Sequence, residues 1–378
     1  MSALLDLLPE ARLVGGAVRD TLAERTFVDV DMASPLPPET VVERLAAAGM
    51  KVVPTGLAHG TVTAVLPDRH VEITTLRRDV ETDGRRAVVA FTNDWAEDAA
   101  RRDFAINAMS LSRDGVVFDY FGGLSDLRAG RLRFVGDPAE RVAEDYLRVL
   151  RFFRFFARYG GMDPDAVTLA ALHDAVPRLG KLSAERVWHE VTRILAAPDP
   201  VASVTLMDRL GVLAAVVPEG TDVAAMARLV GRGAPVDALL RVAALLTGDV
   251  LTFAARLKLS LAERDRLLAL RNAPLAQPED DAPVLLRLLA DTPANILVDR
   301  TWLSGGDDGP AWDLLRDRLI SLSTPIFPLD GRDVVGLGVS PGPRVGELLR
   351  AVRGWWLAGG CSADADACRD EARRLLQG

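Results

Sequence analysis

The sequence predicts an α+β protein, an α/β head over residues 1–135 followed by an almost wholly helical remainder. Three observations carry this. β-like runs alternate with short helical stretches up to residue 119, the cluster Gly136-Asp137-Pro138 then punctuates the chain, and beyond it apolar residues recur at helical spacing with no further strand signal. At 378 residues the chain also exceeds the roughly 250–300 at which single cores stop growing, so several domains are expected: a head at 1–135 and helical parts at 136–197, 198–304 and 305–378.

Composition narrows the functional classes. The formal charge of −8 argues against broad nonspecific polyanion binding, and Lys occurs only at 51, 181 and 258, so any nucleic-acid contact has to be local and arginine-based. Cys361 and Cys368 alone cannot build a disulfide framework or a cysteine zinc site. His173-Asp174 suggests a metal phosphohydrolase, but four histidines, two of them in the head, are too few for one. Met-Ser-Ala-Leu-Leu-Asp lacks a basic region followed by a long apolar run, and no apolar stretch approaches about 18 residues, so a cytoplasmic location is expected.

The head opens on Leu13-Val14-Gly15-Gly16-Ala17-Val18-Arg19-Asp20, followed nine residues later by Asp29-Val30-Asp31. This reads as strand, glycine turn, helix start and second strand. Alternation along that strand puts Asp29 and Asp31 on one face and Val28, Val30 and Met32 on the core face. Two acids on one face can share a metal, although an isolated Asp-x-Asp is more often a solvated strand. Gly15 and Gly16 allow close backbone approach to a phosphate at the following helix start, and Arg19 adds a bidentate donor. Strands are expected at 13–15, 27–32, 51–54, 60–66, 70–76 and 116–119, with a helix at 38–49. In His70-Val71-Glu72-Ile73-Thr74 the valine and isoleucine take the core, which leaves Glu72 either a third carboxylate beside the aspartates or a plain solvent-facing Glu.

Residues 77–94, with Arg77, Arg78, Asp79, Glu81, Asp83, Arg85 and Arg86, lack apolar periodicity and read as a loop. Arg101-Arg102-Asp103-Phe104 then precedes a short apolar helix that includes Asn107, and Asp119 with Gly122-Gly123 forms a turn out of the head. One amphipathic helix is expected over 139–158, with Val142, Tyr146, Val149, Leu150, Phe153, Phe156 and Ala157 as its apolar stripe. Phe152 and Phe155 fall on its polar side and need a partner, either the head or a base. Asp145 and Arg148 suit base selection, because Asp accepts from an exocyclic amine while Arg donates to the neighbouring ring nitrogen, the pattern of cytosine and adenine but not of uracil or guanine.

Further on, Ser183 is expected to N-cap a helix reaching about 196, and Ser260 with Glu263 forms a capping box. Residues 201–304 read as Ala/Leu/Arg-rich scaffold, and Pro341-Gly342-Pro343-Arg344 as a rigid turn into a helix at about 343. Trp355 and Trp356 are expected in a core.

Taken jointly, these residues resemble the class II tRNA nucleotidyltransferases, the bacterial CCA-adding enzymes and their poly(A) polymerase relatives in the polymerase-β-like superfamily. Gly15-Gly16-Ala17-Val18-Arg19-Asp20 with Asp29-Val30-Asp31 is similar to the family's first motif, Arg101-Arg102-Asp103-Phe104 with Asn107 to its second, and Asp119 with Gly122-Gly123 to its third. Glu144-Asp145 with Arg148 and Arg151 resembles the nucleotide-selecting motif, Ser183-Ala184-Glu185-Arg186 its brace, and Pro341-Gly342-Pro343 with Gly346 the tail element.

The resemblance implies a seahorse-like arrangement of head, neck, body and tail, and addition of C and A from CTP and ATP to a tRNA 3′ end by a two-metal mechanism. By matching position, Asp29 and Asp31 would hold Mg²⁺, with Glu72 beside them. Gly15, Gly16, Arg19 and Arg102 would contact triphosphate or ribose in a site that includes Asp103 and Asn107. Asp145 and Arg148 would read the base, with Arg151 and Arg154 touching nucleotide from the same helix. Body and tail would hold the acceptor and T arms of tRNA. One departure concerns the loop after Thr75, about two residues shorter than the family pattern and lacking its Tyr and Pro, which leaves CC-only or A-only addition as alternatives to full CCA. Poly(A) polymerase and an inert RNA-binding relative are the remaining alternatives.

Overall fold

In the computed structural model, which describes residues 2–27, 29–82, 87–304 and 309–377, backbone contacts separate two units, Met1–Pro218 and Glu219–Gly378. The first unit contains the sheet. It begins with α1 (Ser2–Leu7), β1 (Arg12–Val14), α2 (Gly16–Leu22), β2 (Val30–Ser34), α3 (Pro38–Ala47), β3 (Lys51–Gly56), β4 (Thr61–Val65) and β5 (His70–Thr75). The paired strands β6 (Arg77–Thr82) and β7 (Ala87–Phe91) follow, then α4 (Trp95–Ala100), β8 (Met109–Leu111), β9 (Val117–Asp119) and α5 (Gly123–Ala129). The main sheet has seven strands in the order β3-β4-β5-β2-β1-β8-β9, in which β2 and β5 run parallel and the remaining neighbours antiparallel.

One face of this sheet is the core. Val30, Met32, Val62, Ala64, Val71 and Ile73 bury themselves against Leu4 and Leu8 of the N-terminal segment and Val41 and Leu45 of α3. Period-two alternation sends Asp31 and Glu72 to the opposite, open face. Val28 lies outside the described residues.

The chain leaves the head through α6 (Pro138–Glu144), α7 (Leu147–Tyr159), α8 (Ala166–Asp174) and α9 (Ala184–Leu195). Phe152 and Phe155, which fit poorly on a polar face, have their partner here: Phe152 stacks on Phe134 at 5.8 Å, and Phe155 meets Phe104 edge-on at 5.2 Å. These aromatic contacts fasten α7 to the segment before and after the third motif.

The regular elements of the second unit are all helices among its described residues, beside one isolated bridge from Thr221 to Leu246, with separate small cores such as Leu285, Leu289, Leu297, Leu315 and Leu319, or Val334, Val352, Trp356 and Cys368. The capping box at Ser260 and Glu263 is present, the Ser260 amide donating to Glu263 Oε2 at 2.7 Å. The helix Pro343–Ala358 starts at the expected turn; Trp356 is core while Trp355 stays partly exposed. No helix among the described residues is long and apolar enough to cross a membrane.

Four expectations need correction. Residues 77–82 and 87–91 are not a loop but the paired strands β6 and β7, and Phe91 crosses over Gly60, where a Cβ would come within 2.6 Å of its ring. In the sequence the many charged residues of 77–86 hide the strand period. Asp83, Arg85 and Arg86 lie outside the described residues. Residues Ala105–Asn107 are a single 3-10 turn leading into β8 rather than an α-helix, and the extended Phe104 before them forms a bridge with Phe134. The helix expected at 139–158 is two helices broken at Asp145, whose backbone is extended (φ −154, ψ 108). Ser183 occupies the N-cap position of α9, but its side chain makes no capping hydrogen bond.

Candidate active site

The floor of the site is the open face of β2 and β5. The parallel register sets Asp31 beside Glu72, and Asp29, just before β2, is exposed at the same end of the strand. Crowding registers chemically: the Asp31 carboxyl is lifted above its ordinary value, first by desolvation, then by Glu72 and to a smaller extent Asp29, with Arg102 pulling the other way. Glu72 is therefore brought to the aspartate site and not to bulk solvent alone. Among the described residues no three acidic, histidine or cysteine side chains close into a full cage.

Above this floor runs the glycine turn. Gly15 has φ +66, a conformation that suits glycine, and a Cβ there would sit 3.0 Å from Arg102 Nη1. The turn thus lets the Arg102 guanidinium lie against the backbone, close enough to act on Asp31. Asp98 holds Arg102 from the other side at 3.5 Å and also accepts from Arg101 Nε at 2.8 Å; it is almost fully buried and carries no sequence motif of its own. Gly123 has a different reason to be glycine, since a Cβ would fall 2.1 Å from the Ala105 carbonyl oxygen. The preceding Asp119 carboxylate accepts from the Gly123 and Leu124 amides at 2.8 and 2.9 Å.

Arg19, Asp103 and Asn107 are brought together, facing inward. Arg19 Nη1 donates to Asn107 Oδ1 at 2.6 Å, and its Nε and Nη2 donate to Asp20 at 3.0 and 3.1 Å. Asn107 Nδ2 in turn donates to Asp103 Oδ1 at 3.0 Å, and Arg151 Nε donates to Asp103 Oδ2 at 2.8 Å. Burial alone would raise the Asp103 carboxyl, but Arg151 and Asn107 hold it below the usual carboxylate range. Arg19 is a buried strut in this structure, with protein partners on all three nitrogens.

The base-reading candidates stand at the helix break. Asp145 Oδ1 accepts from the Leu147 amide at 3.0 Å, starting α7, and Oδ2 accepts from Arg186 Nη2 at 2.5 Å, so Arg186 of α9 braces it. Arg148 Nη1 donates to the Arg141 carbonyl at 2.7 Å and also pairs with Glu144. Arg141 reaches back to the Arg101 and Arg102 carbonyls at 2.6 and 2.5 Å, coupling this corner to the second motif. Arg154 is apart from the others: it is buried against Glu190 at 3.3 Å, and desolvation pulls its guanidinium down to about 10. The bracing roles of Arg141 and Asp98 escaped the sequence reading, Arg141 because it acts across the fold on the Arg101 and Arg102 carbonyls; only the spacing of Asp98 and Glu144 to the arginines, three or four residues, hints at pairing.

Comparison with known proteins agrees with this geometry. The Poly A polymerase head domain matches residues 11–133, and a second family, described as the probable RNA and SrmB-binding site of polymerase A, matches 161–223. The mitochondrial CCA tRNA nucleotidyltransferase 1 of Mus musculus is 35% identical over 376 residues, covering 94% of this chain and 85% of that protein. The CCA-adding enzyme of Streptococcus gordonii is 44% identical over 191 residues, covering 50% of this chain and 47% of its own. The crystal structure of the Bacillus stearothermophilus CCA-adding enzyme in complex with CTP superimposes with a TM-score of 0.80 at 26% identity, covering 100% of this chain and 96% of the other. A sheet with paired carboxylates beside an arginine-lined glycine turn is in this light the head of a nucleotidyltransferase. The chain belongs to the CCA tRNA nucleotidyltransferase family.

Proposed function

We propose that the protein adds C and A from CTP and ATP, without a template, to the 3′ end of tRNA and releases pyrophosphate. The observation that carries this reading is the conjunction, in one unit, of the Asp29/Asp31 floor with the braced Asp145–Arg148 corner. The tRNA 3′-hydroxyl attacks the α-phosphorus of the bound nucleotide, a new O–P bond forms, and pyrophosphate departs. Arg102, lying on the Gly15–Gly16 turn, contacts the triphosphate. Asp145 and Arg148 each keep hydrogen-bonding capacity after their protein contacts, Asp145 through further lone pairs and Arg148 through further N–H groups, enough to meet the amine and ring nitrogen of cytosine or adenine. Arg151 acts from behind, by fixing Asp103, and Arg154 by fixing Glu190.

The donor set fits Mg²⁺. Two open carboxylates with a third beside them, one with proton affinity raised first by desolvation and then by its acidic neighbours, form a half-site of the kind Mg²⁺ completes with water and substrate phosphates. Held by Asp29 and Asp31, with Glu72 adjacent, Mg²⁺ would in the two-metal form lower the pKa of the attacking hydroxyl and neutralise the leaving pyrophosphate. Within this scheme residues 1–135 catalyse, 136–197 select the nucleotide, and 198–304 with 305–378 hold tRNA.

The test supplies tRNA ending before CCA, after C, or after CC, with Mg²⁺ and CTP or ATP separately. Sequential C, C and A addition is expected. C without A would reduce the reading to a CC-adding enzyme, and long A tracts on varied RNAs would replace it with poly(A) polymerase. Asp29→Ala should abolish transfer while tRNA binding persists; retained transfer would remove the carboxylate floor from the chemistry.

A further inference from the structure

A chain of side chains leaves α7 at one residue and returns to it at another. Arg151 donates to Asp103, Asn107 donates to Asp103 at 3.0 Å, Arg19 donates to Asn107 at 2.6 Å and to Asp20, and the Tyr159 hydroxyl donates to the same Asp20 carboxylate. Arg151 and Tyr159 are eight residues apart, about 12 Å along the helix axis. The interior of the ring is filled: the Arg19 guanidinium lies 5.0 Å from the Phe155 ring and 4.5 Å from the Tyr159 ring, and Arg25 approaches Tyr159 from 4.9 Å. Burial and the Asp20 contact raise the Tyr159 pKa, so the hydroxyl remains a donor at neutral pH. Stacking alone would be served by phenylalanine. The hydroxyl matters because, among the described residues, it gives the Asp20 carboxylate a side-chain partner outside α2, and so a second route from the Arg19–Asp20 pair to α7 beside the one through Asn107 and Asp103.

We propose that Tyr159 is a positioning residue for nucleotide selection: through Asp20, Arg19, Asn107, Asp103 and Arg151 it fixes the rotation of α7 against the glycine turn, and with it the place where Asp145 and Arg148 meet a base. This rests on the base-reading role proposed above. The ring has two anchors on α7, one in its first half and one at its last residue, so loosening the far anchor transmits to the near one without any contact between Tyr159 and the nucleotide.

The experiment is a double-mutant cycle of Tyr159→Phe and Arg151→Lys in the full chain, read both as kcat/KM for C addition and as CTP affinity by calorimetry. Tyr159→Phe should raise KM for CTP by about three-fold or more and narrow the CTP-over-UTP preference, with KM for tRNA unchanged. Side chains about 12 Å apart with no shared partner would give multiplicative losses. The ring predicts that the double variant loses less than the product by at least about three-fold. Multiplicative losses, or unchanged CTP-over-UTP preference in Tyr159→Phe, would overturn the proposal, as would an equal loss for every nucleotide and for tRNA, which marks a purely structural role. Calorimetry separates the two readings: a non-multiplicative binding cycle in a protein that transfers no C overturns the proposed reaction and keeps the ring. A multiplicative cycle with normal C addition does the reverse. Tyr159→Phe removes one hydroxyl, and a thermal melt of each variant confirms that it folds.

Discussion

At Asp31 four influences meet on one carboxylate, Asp29 being the weakest. Desolvation and the flanking Glu72 raise its proton affinity, and Arg102 opposes them. Because the folded-state value lies above the ordinary 3.8, protons compete with a cation over a window beginning above that value. Mg²⁺ affinity should weaken as pH falls through it, and Glu72→Gln, by deleting the nearest repelling charge, should move that weakening to lower pH. Mg²⁺ titrations at a series of pH values check this; a pH profile identical in Glu72→Gln would take Glu72 away from Asp31. Asp103 has the opposite sign. Its pKa is depressed in the fold, so its stabilisation is complete above the unfolded value near 3.8 and is lost as pH falls through the lower folded value. Asp103→Asn should lower stability at neutral pH by about 2 kcal/mol, the scale of a lost charged hydrogen bond, and should flatten the acid limb of the melting temperature. Equal acid limbs in the two proteins would contradict the pairing with Arg151.

Among the elements, the break between α6 and α7 matters most. A continuous helix would have left Asp145 on the stripe's edge; the break turns its carboxylate to cap α7 and meet Arg186. Arg148, one turn on, is held by Glu144 and is expected to discriminate through position as well as charge. Arg148→Ala should let UTP or GTP compete, with preference for CTP reduced by about ten-fold or more; incorporation assays with nucleotide mixtures measure it, and an unchanged preference would remove Arg148 from selection. Strands β1 to β5 and β9 were legible because alternation of Val30, Met32, Val71 and Ile73 with Asp31 and Glu72 is a local signal. The β6–β7 pair was not, because its charged residues hide the period, and the helix break was not, because neither Gly nor Pro marks it. Asp29, Asp31 and Asp145 stand out as candidates from motif spacing alone. The inward contacts of Arg19 and Arg154 do not: a guanidinium beside a glycine turn reads as a phosphate ligand until Asn107 is seen to pair with it, and one on the selecting helix reads as a nucleotide contact until Glu190 is seen to pair with it.

For the whole molecule, a net charge of −8 and only three lysines confine polyanion contact to arginine clusters. The affinity for tRNA should therefore fall with salt, but shallowly. At about 0.7–0.9 in log–log slope per phosphate neutralised, a slope beyond about −6 between 50 and 200 mM salt would demand a basic surface broader than the composition supplies. The ring through Arg151 and Tyr159 also sets a rule about length. Each residue inserted between the two anchors would turn one by about 100° relative to the other, which no rotamer change restores. Substitutions along α7 can be absorbed one at a time, but the eight-residue spacing from Arg151 to Tyr159 works as a ruler: insertions or deletions there should be far less tolerated than any single replacement of the residues between.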